Sequence, residues 1–207
     1  MSDETRCVQL DFAMAFSIRP YQARDWEGVC RAHDAARLLE VETFIPDNVT
    51  LPMEKAVDID GNFFEGDVFV AVGESDEVLG FIAVRGDELT WMYVHPDHHR
   101  EGVASALVEH VRTSLGPNGF VLCAKENAYG FTFYQKVGFE PVAFFPGNER
   151  GYPCTCVRMT FPGSVHAKRE PRPTEASLLA HGYTEGNWGG AIHDERGVWH
   201  WVRERTS

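Results

Sequence analysis

The stretch that decides the fold reads Val94-His95-Pro96-Asp97-His98-His99-Arg100-Glu101-Gly102-Val103-Ala104-Ser105-Ala106-Leu107. It predicts a strand that ends at Pro96, a turn, and an amphipathic helix that begins at Gly102. The first turn of a helix has N–H groups without intrahelical partners and carries the positive end of the helix dipole. Because Gly102, Ala104 and Ser105 are small, a pyrophosphate can approach these N–H groups closely. The alternative is a tightly packed helix N-terminus without a ligand.

Strands and helices alternate on both sides of this stretch. The hydrophobic patterns predict strands at 16–20, 68–72, 78–84, 88–94, 120–124, 139–145 and 155–161. They predict helices at 25–39, 53–64, 103–115 and 127–138. In the third of these helices Val103, Leu107, Val111 and Leu115 repeat every four residues and form one apolar face. The predicted class is α/β with a mixed sheet.

We divide the chain into an irregular leader (1–15), a main α/β domain (16–161) and an extension (162–207). The extension begins as a proline-containing linker and continues as a segment rich in Trp and Gly, with a short helix predicted at 175–180 and a hairpin predicted at 191–202. Its tryptophans, Trp188, Trp199 and Trp201, carry too much apolar surface to remain in water. We therefore expect them to pack on this domain or on a second copy, and we expect a homodimer.

The composition excludes several classes of function. The chain has 19 basic and 31 acidic residues, so that its net charge is −12 and no basic footprint for nucleic acid is visible. This charge favours a small cationic molecule or a basic peptide as partner. No long apolar run and no signal peptide are found, so we expect a cytoplasmic protein without membrane contact. The cysteines (Cys7, Cys30, Cys123, Cys154 and Cys156) follow no disulfide or metal pattern, which favours a structural role over a redox or metal role.

Two segments resemble motifs of the GNAT acetyltransferase superfamily. Val94-His95-Pro96 followed by His99-Arg100-Glu101-Gly102-Val103-Ala104 resembles motif A, which reads Val-x-Pro and then Arg/Gln-x-x-Gly-x-Gly/Ala before a helix. Asn127-Ala-Tyr-Gly-Phe-Thr-Phe-Tyr-Gln-Lys-Val-Gly-Phe139 resembles motif B, with its Asn start, its aromatic-Tyr pair and its closing Gly-Phe. The resemblance covers residues 16–161. It implies a mixed, mostly antiparallel sheet flanked by helices, here with a C-terminal appendage. The implied activity is direct transfer of acetyl from acetyl-CoA to a primary amine.

The resemblance also assigns the cofactor contacts. In the family, a bulge in the motif A strand separates it from the next parallel strand, and the pantetheine arm lies in the gap. The resemblance therefore implies that acetyl-CoA is bound by the strand backbone and by the turn and helix start: Met92, Tyr93, Val94, His99, Arg100, Gly102, Val103, Ala104, Ser105 and Asn127. A strand N–H would stabilise the oxyanion. Two departures, His99 in place of Arg or Gln and the acidic Glu101, imply weaker cofactor binding.

A catalytic acid and a catalytic base are implied by position. Tyr134 stands where the family protonates the departing thiolate, and a phenol with a pKa near ~10 can donate to a thiol with a pKa near ~8.5. Its alternative is a half-buried helix tyrosine that only packs. Glu88 lies fourteen residues before Gly102, the spacing of the general base in histone-type members of the family. Its alternative is a solvated acid in the turn Arg85-Gly-Asp-Glu88.

Two clusters of polar residues leave the functional question partly open. His95-x-x-His98-His99 lacks helical ligand spacing, and we predict no metal site. Between Leu38 and Asp67, one base, Lys55, stands against eight acids: Glu40, Glu42, Asp47, Glu54, Asp58, Asp60, Glu65 and Asp67. In the family this segment walls the acceptor pocket, so the acids either attract a cationic amine or form a solvated face.

A CoA-binding sensor without turnover and a toxin-like aminoacyl-tRNA acetyltransferase are the competing functions, and the acidic charge disfavours the second.

Overall fold

The computed structural model describes residues 16–46, 50–60, 62–150 and 152–165 and the backbone of two strands in the extension. The strands are β1 (Phe16–Pro20), β2 (Asp67–Gly73), β3 (Val78–Arg85), β4 (Glu88–Val94), β5 (Phe120–Ala124), β6 (Glu140–Glu149), β7 (Tyr152–Thr160), β8 (Trp188–His193) and β9 (Trp199–Arg203). The helices are α1 (Trp26–Val41), α2 (Met53–Asp60), α3 (Val103–Leu115) and α4 (Ala128–Lys136). The predicted elements between residues 16 and 161 are therefore present.

Three predicted boundaries were wrong. Helix α2 ends at Asp60, four residues earlier than predicted, because the sequence continues with Gly61-Asn62, which are poor helix formers. Strand β6 continues to Glu149 although Pro146-Gly147 predicts an end at Phe145. A proline is tolerated there because β6 is an edge strand and pairs on one side only. Its hairpin partner β7 begins at Tyr152, three residues earlier than predicted, because Tyr152 pairs with Glu149 at the extended end of β6.

The sheet has seven strands in the order β1-β2-β3-β4-β5-β7-β6. All neighbours are antiparallel except β4 and β5, which run parallel because α3 connects them. This arrangement confirms the predicted mixed, mostly antiparallel sheet.

Helices cover both faces of the sheet. Helix α1 packs on one face, where a Cβ at Gly28 would lie 2.7 Å from the Cβ of Val78, so that only glycine permits this close approach. The same layer buries Phe63, Phe81 and Trp91. Helix α3 packs on the other face with its predicted apolar stripe, and the stripe residues are at most 2% exposed. Two apolar layers therefore fix the sheet between α1 and α3.

Strands β8 and β9 form the antiparallel pair predicted for the extension, with His193 opposite Trp199. Strand β8 contacts β6, the edge strand of the main sheet. The predicted leader (1–15), the helix at 175–180 and the hairpin turn at 194–197 lie outside the described residues, and the homodimer stays a prediction. Across the described part of the chain, no helix has the length and apolar character that a membrane crossing requires.

An ion pair joins the first strand to the start of α1. The guanidinium of Arg19 donates to both carboxylate oxygens of Asp25, at 2.7 and 2.8 Å, and the backbone N–H of Gln22 donates to the same carboxylate at 2.7 Å. The Asp25 side chain is only 3% exposed. The hydrogen bond from Arg19 lowers the pKa of Asp25 below its ordinary value of 3.8, although burial opposes this shift.

We expect Asp25→Asn to lower the free energy of unfolding at pH 7 by about 1–3 kcal/mol, because the partly exposed Arg19 guanidinium would lose its buried counter-charge and keep only the exposed Asp76. The folded-state pKa of Asp25 lies below the unfolded value, so its stabilisation is present above pH ~4 and is lost as the pH falls through the folded pKa. The difference in melting temperature between wild type and variant should therefore be constant from pH 7 to 5 and shrink in stronger acid. Glu27→Gln, at an exposed ion pair on the same helix, should change stability by less than about 0.5 kcal/mol. A difference that persists unchanged at low pH would contradict the charge-based account.

Candidate active site

The parallel strands β4 and β5 separate after two residue pairs. Glu88 is opposite Phe120 and Leu89 is opposite Val121, and no further pairing follows along these strands. At this point the β3–β4 register shifts, since Ala83 pairs with Trp91 and Val84 with Leu89, so Thr90 is the extra residue of a β-bulge. A bulge bends its strand and ends regular pairing. The carboxyl-terminal halves of β4 and β5 consequently enclose a gap, as the resemblance implied.

The backbone of β4 presents donors to this gap. The N–H of His95 donates to the carbonyl of Leu79 on β3, at 2.8 Å. Because backbone groups alternate along a strand, the N–H groups of Met92 and Val94 point to the opposite side, where β5 has diverged. The ring N–H at Nε2 of His99 donates to the Val94 carbonyl at 3.0 Å, so the turn is tied back to the end of the gap. Free N–H groups of this kind suit a carbonyl or amide ligand.

Helix α3 begins beside the same gap. Gly102 precedes it with φ of 87°, a left-handed conformation that favours glycine, and a Cβ added there would meet no heavy atom within 4 Å. The first intrahelical bond runs from the N–H of Ala106 to the Gly102 carbonyl, at 3.0 Å. The N–H groups of Val103, Ala104 and Ser105 precede that bond and remain available to an anion. This open helix start fits the pyrophosphate of acetyl-CoA.

The charged side chains of the turn leave a positive charge available to an anionic ligand. Glu101, the acid that departs from the family pattern, accepts a hydrogen bond from His98 at 3.0 Å. Arg100 has φ of 67° and is exposed, and among the residues that the structure describes it has no ion-pair partner. The turn therefore offers one uncommitted positive side chain next to the helix start.

The histidines of this turn are each engaged separately. His95 lies 3.7 Å from Asp97, His98 binds Glu101, and His99 binds the Val94 carbonyl. Within the described ranges, no three His, Cys, Asp or Glu side chains are grouped as metal ligands. The cluster is accounted for by contacts within the turn.

Motif B places Asn127 and Tyr134 at the other side of the gap. Asn127 caps α4, where its Oδ1 accepts from the N–H of Gly130 at 2.8 Å. Tyr134 lies on the buried side of α4, is 8% exposed, and packs edge-on against Phe133 and Phe139. Burial, followed by the nearby Cys123 thiol and the Glu40 carboxylate, raises the pKa of Tyr134 well above 10. The phenol therefore remains protonated at neutral pH.

Glu88 lies at the other end of β4. Its carboxylate accepts from Arg85 at 2.9 Å, and Arg85 also binds Glu65 at 2.6 Å. Glu88 stands opposite Phe120, where β4 and β5 are still paired, and six residues of strand separate it from Val94, about 20 Å. Tyr134, Val94 of β4 and Val103 of α3 thus belong to the same buried cluster, while Glu88 lies at the far end of β4.

Sequence reasoning missed a hydrogen-bonded network on the α1 side of the gap. The hydroxyl of Tyr93 donates to Glu40 at 2.7 Å, and Arg37 bridges Glu40 and Glu149, at 2.6 Å each. Burial, followed by the Glu40 carboxylate, raises the pKa of Tyr93 well above 10. The sequence points to Tyr93 only as part of the strand backbone that binds the cofactor. It points to Glu40 only as one of eight acids between Leu38 and Asp67. No local signal joins them, since 53 residues separate the two in the sequence.

Comparison with known proteins agrees with this geometry. Residues 65–141 match the acetyltransferase (GNAT) domain family. Residues 65–141 of this chain are thus similar to a GNAT acetyltransferase domain. The matched range contains both β4 and the start of α3, so the bulge and the open helix start lie within the matched domain. The fold and the matched domain type are those that the two motifs implied.

Individual relatives point the same way. The peptidyl-lysine N-acetyltransferase YjaB of Salmonella typhimurium is 29% identical over 98 residues, which are 47% of this chain and 67% of the relative. The solution structure of apo YjaB from Escherichia coli superposes with a TM-score of 0.53 and 26% identity, over 73% of this chain and all of YjaB. A GCN5-related N-acetyltransferase structure from Rhodopseudomonas palustris gives a TM-score of 0.57 at 18% identity, over 70% and 94% of the two chains, and supports the fold alone.

We expect Gly102→Glu to abolish the increase in melting temperature that acetyl-CoA gives the wild type, because a carboxylate would occupy the open space at the helix start and repel phosphate. Gly102→Ala is the matched control: it carries the same cost of about 1 kcal/mol or more for a left-handed φ but adds no charge. It should melt at a lower temperature and still respond to acetyl-CoA. A normal shift in the Glu variant would remove the basis for placing the pyrophosphate here.

Proposed function

We propose that this GNAT domain transfers acetyl directly from acetyl-CoA to the side-chain amine of a lysine in a peptide or protein. The observation that carries the proposal is the gap between β4 and β5, which has an open helix start beside it and Tyr134 at its side. Acetyl-CoA supplies an activated acetyl thioester to this site. The proposed holders of the cofactor are the β4 backbone (Met92, Tyr93, Val94), the turn and helix start (His99, Arg100, Gly102, Val103, Ala104, Ser105) and Asn127 at the start of α4.

Tyr134 is the proposed acid for the thiolate. It lies at the motif position, it is buried, and its raised pKa keeps the phenol protonated. No described residue is hydrogen-bonded to its hydroxyl, so the proton is not committed to another acceptor in the described part of the chain. A protonated donor whose proton has no other acceptor among the described residues suits delivery to a departing sulfur.

Direct transfer is favoured over an acetyl-cysteine intermediate on Cys123, the thiol whose electrostatic effect reaches Tyr134. Cys123 is 7% exposed, and burial followed by the Glu40 charge raises its pKa to about 12. The thiolate is the reactive form of cysteine, and it is scarce at neutral pH when the pKa is so high. The amine is therefore the better nucleophile for the acetyl group.

The acceptor class rests on charge and on the relatives. Five acids of the segment between α1 and β2 are exposed: Glu42, Glu54, Asp58, Glu65 and Asp67. Two more, Asp47 and the Asp60 side chain, lie outside the described residues. An exposed acidic surface attracts cationic partners and speeds their association. YjaB is named a peptidyl-lysine N-acetyltransferase, which supports a lysine amine within a peptide as the acceptor here.

Thiol release from acetyl-CoA in the presence of peptides tests this function. We expect a lysine peptide flanked by Lys and Arg to give a kcat/KM about tenfold higher than the same peptide flanked by Glu, because the acidic surface steers the first and repels the second. The preference should shrink at high salt, since exposed charges are screened. Binding of acetyl-CoA without thiol release on any peptide would instead favour a CoA-binding sensor.

We expect Tyr134→Phe to lower kcat about 10²-fold with little change in the KM for acetyl-CoA, because the lost proton donor acts on the leaving group. Its matched control is Tyr129→Phe, an exposed tyrosine of the same helix, which should leave both constants unchanged. Since the pKa of Tyr134 is raised well above 10, its proton should be retained and cause no loss of rate between pH 7 and 9. Full activity of Tyr134→Phe would assign the proton to water or to another acid.

A further inference from the structure

Helix α1 ends at the gap between β4 and β5. Glu40 lies in its last turn, next to the Tyr93 side chain that β4 directs into the α1 layer. Here α1 contacts α4, the helix that carries Tyr134, and the hydroxyl of Thr43 just beyond α1 donates to the Glu126 carbonyl at 3.1 Å. Intact pairing of β4 with β5 would keep these two layers apart. The gap therefore lets a carboxylate of α1 and a phenol of α4 approach the same space.

The Glu40 carboxylate is held but not enclosed. Its Oε2 accepts from the Tyr93 hydroxyl at 2.7 Å and from Arg37 at 2.6 Å, while its side chain remains 23% exposed. Arg37 is shared with Glu149, 32% exposed, which also lies 3.6 Å from Arg150. A carboxylate fixed by two donors and still open to solvent can accept a further hydrogen bond from an incoming ammonium.

The charge of Glu40 acts across the gap. It contributes to the raised pKa of Cys123 on β5 and of Tyr134 on α4. Tyr134 therefore sits as a neutral donor on one side while Glu40 stands as a charged acceptor on the other. A neutral phenol and a partly exposed carboxylate are side chains that can serve as an acid and a base.

We propose that Glu40 is the general base that takes a proton from the acceptor ammonium, with Tyr93 and Arg37 as positioning residues. This inference rests on the proposed function, and it assigns to Glu40 the role that the family resemblance implied for Glu88. A lysine amine with a pKa near ~10.4 is almost entirely protonated at pH 7 and has no lone pair for attack until a proton leaves. A carboxylate at the mouth of the gap can both attract the ammonium and accept that proton.

The proton balance is complete. The ammonium loses one proton to Glu40, which passes it to solvent. The amine nitrogen then forms a bond to the acetyl carbon, and the carbon–sulfur bond breaks. The sulfur takes the Tyr134 proton, and the second proton of the nitrogen restores Tyr134. One ammonium and one thioester give one amide, one thiol and one proton in water.

The pH dependence of Glu40→Gln tests the inference. We expect kcat/KM for the amine to fall about 10²-fold at pH 7. The ratio of wild type to variant should shrink as the pH rises from 7 to 9.5, because free amine becomes about tenfold more abundant with each unit. A lost structural contact would reduce the rate equally at every pH. The groups that face Glu40 are Arg37, Tyr93, Glu149, Arg150, His33, Cys123 and Tyr134, and the variant leaves all of them in place.

Binding and control variants accompany the rate measurement. Glu40→Gln is expected to keep the melting shift with acetyl-CoA, because the cofactor residues are unchanged. Glu27→Gln, on the exposed side of the same helix, should behave as the wild type. Tyr93→Phe leaves the carboxylate but removes its donor at 2.7 Å, so we expect a loss of about 3- to 10-fold with the wild-type pH profile. This second variant tests the network even where Glu40→Gln folds poorly.

The acceptors are a lysine peptide and, in parallel, the simple polyamine spermidine. Turnover of spermidine alone would refute the peptide function, while the pH ratio measured with spermidine would still decide the role of Glu40. A loss in Glu40→Gln that is equal at all pH values, or a rate within twofold of wild type, overturns the inference. So does a pH-dependent loss found in Glu88→Gln and not in Glu40→Gln.

Discussion

The site depends on the interruption of hydrogen bonding between β4 and β5. Backbone N–H and C=O groups inside a sheet normally have partners, and a strand that loses its neighbour must satisfy them otherwise. Here the bulge at Thr90 ends the pairing after Leu89 and leaves the end of β4 facing a gap. The Val94 carbonyl accepts a hydrogen bond from His99, and the N–H groups of Met92 and Val94 remain available to a ligand. An extended, amide-containing arm is the kind of ligand that such an edge accommodates.

The gap also determines which helices can meet. Helices on opposite faces of a complete sheet are separated by it, yet α1 contacts α4 in this fold. The contact brings the end of α1, with Glu40, towards the layer that holds Tyr134. Tyr134 is 8% exposed and Glu40 is 23% exposed, and burial raises the pKa of Tyr134 well above 10. The arrangement places a protonated phenol on the buried side and a partly exposed carboxylate on the solvent side.

The acidic residues on the α1 side of the gap fall into two groups that differ in burial. Those at the surface, such as Glu54 and Asp58, are exposed and contribute a long-range field that salt screens. Glu40 is half-buried and held by Arg37 and Tyr93, so its effect is local and depends on geometry. In the proposed mechanism, attraction of a cationic acceptor and removal of its proton fall to different carboxylates. The net charge of −12 alone does not distinguish them.

The sequence by itself determined the features that depend on local pattern: the alternation of strands and helices, the apolar stripe of α3, the small residues at its start, and Tyr134 within motif B. Tertiary structure decided which acid lies beside the Tyr93 side chain. The family resemblance implied Glu88 as the base by its spacing from Gly102, with a solvated turn acid as the alternative, and pairing with β5 places that residue at the end of β4 away from Val94. The network at the open end joins residues 53 and 112 positions apart. Such contacts follow from packing between layers, and periodicity within one segment carries no information about them.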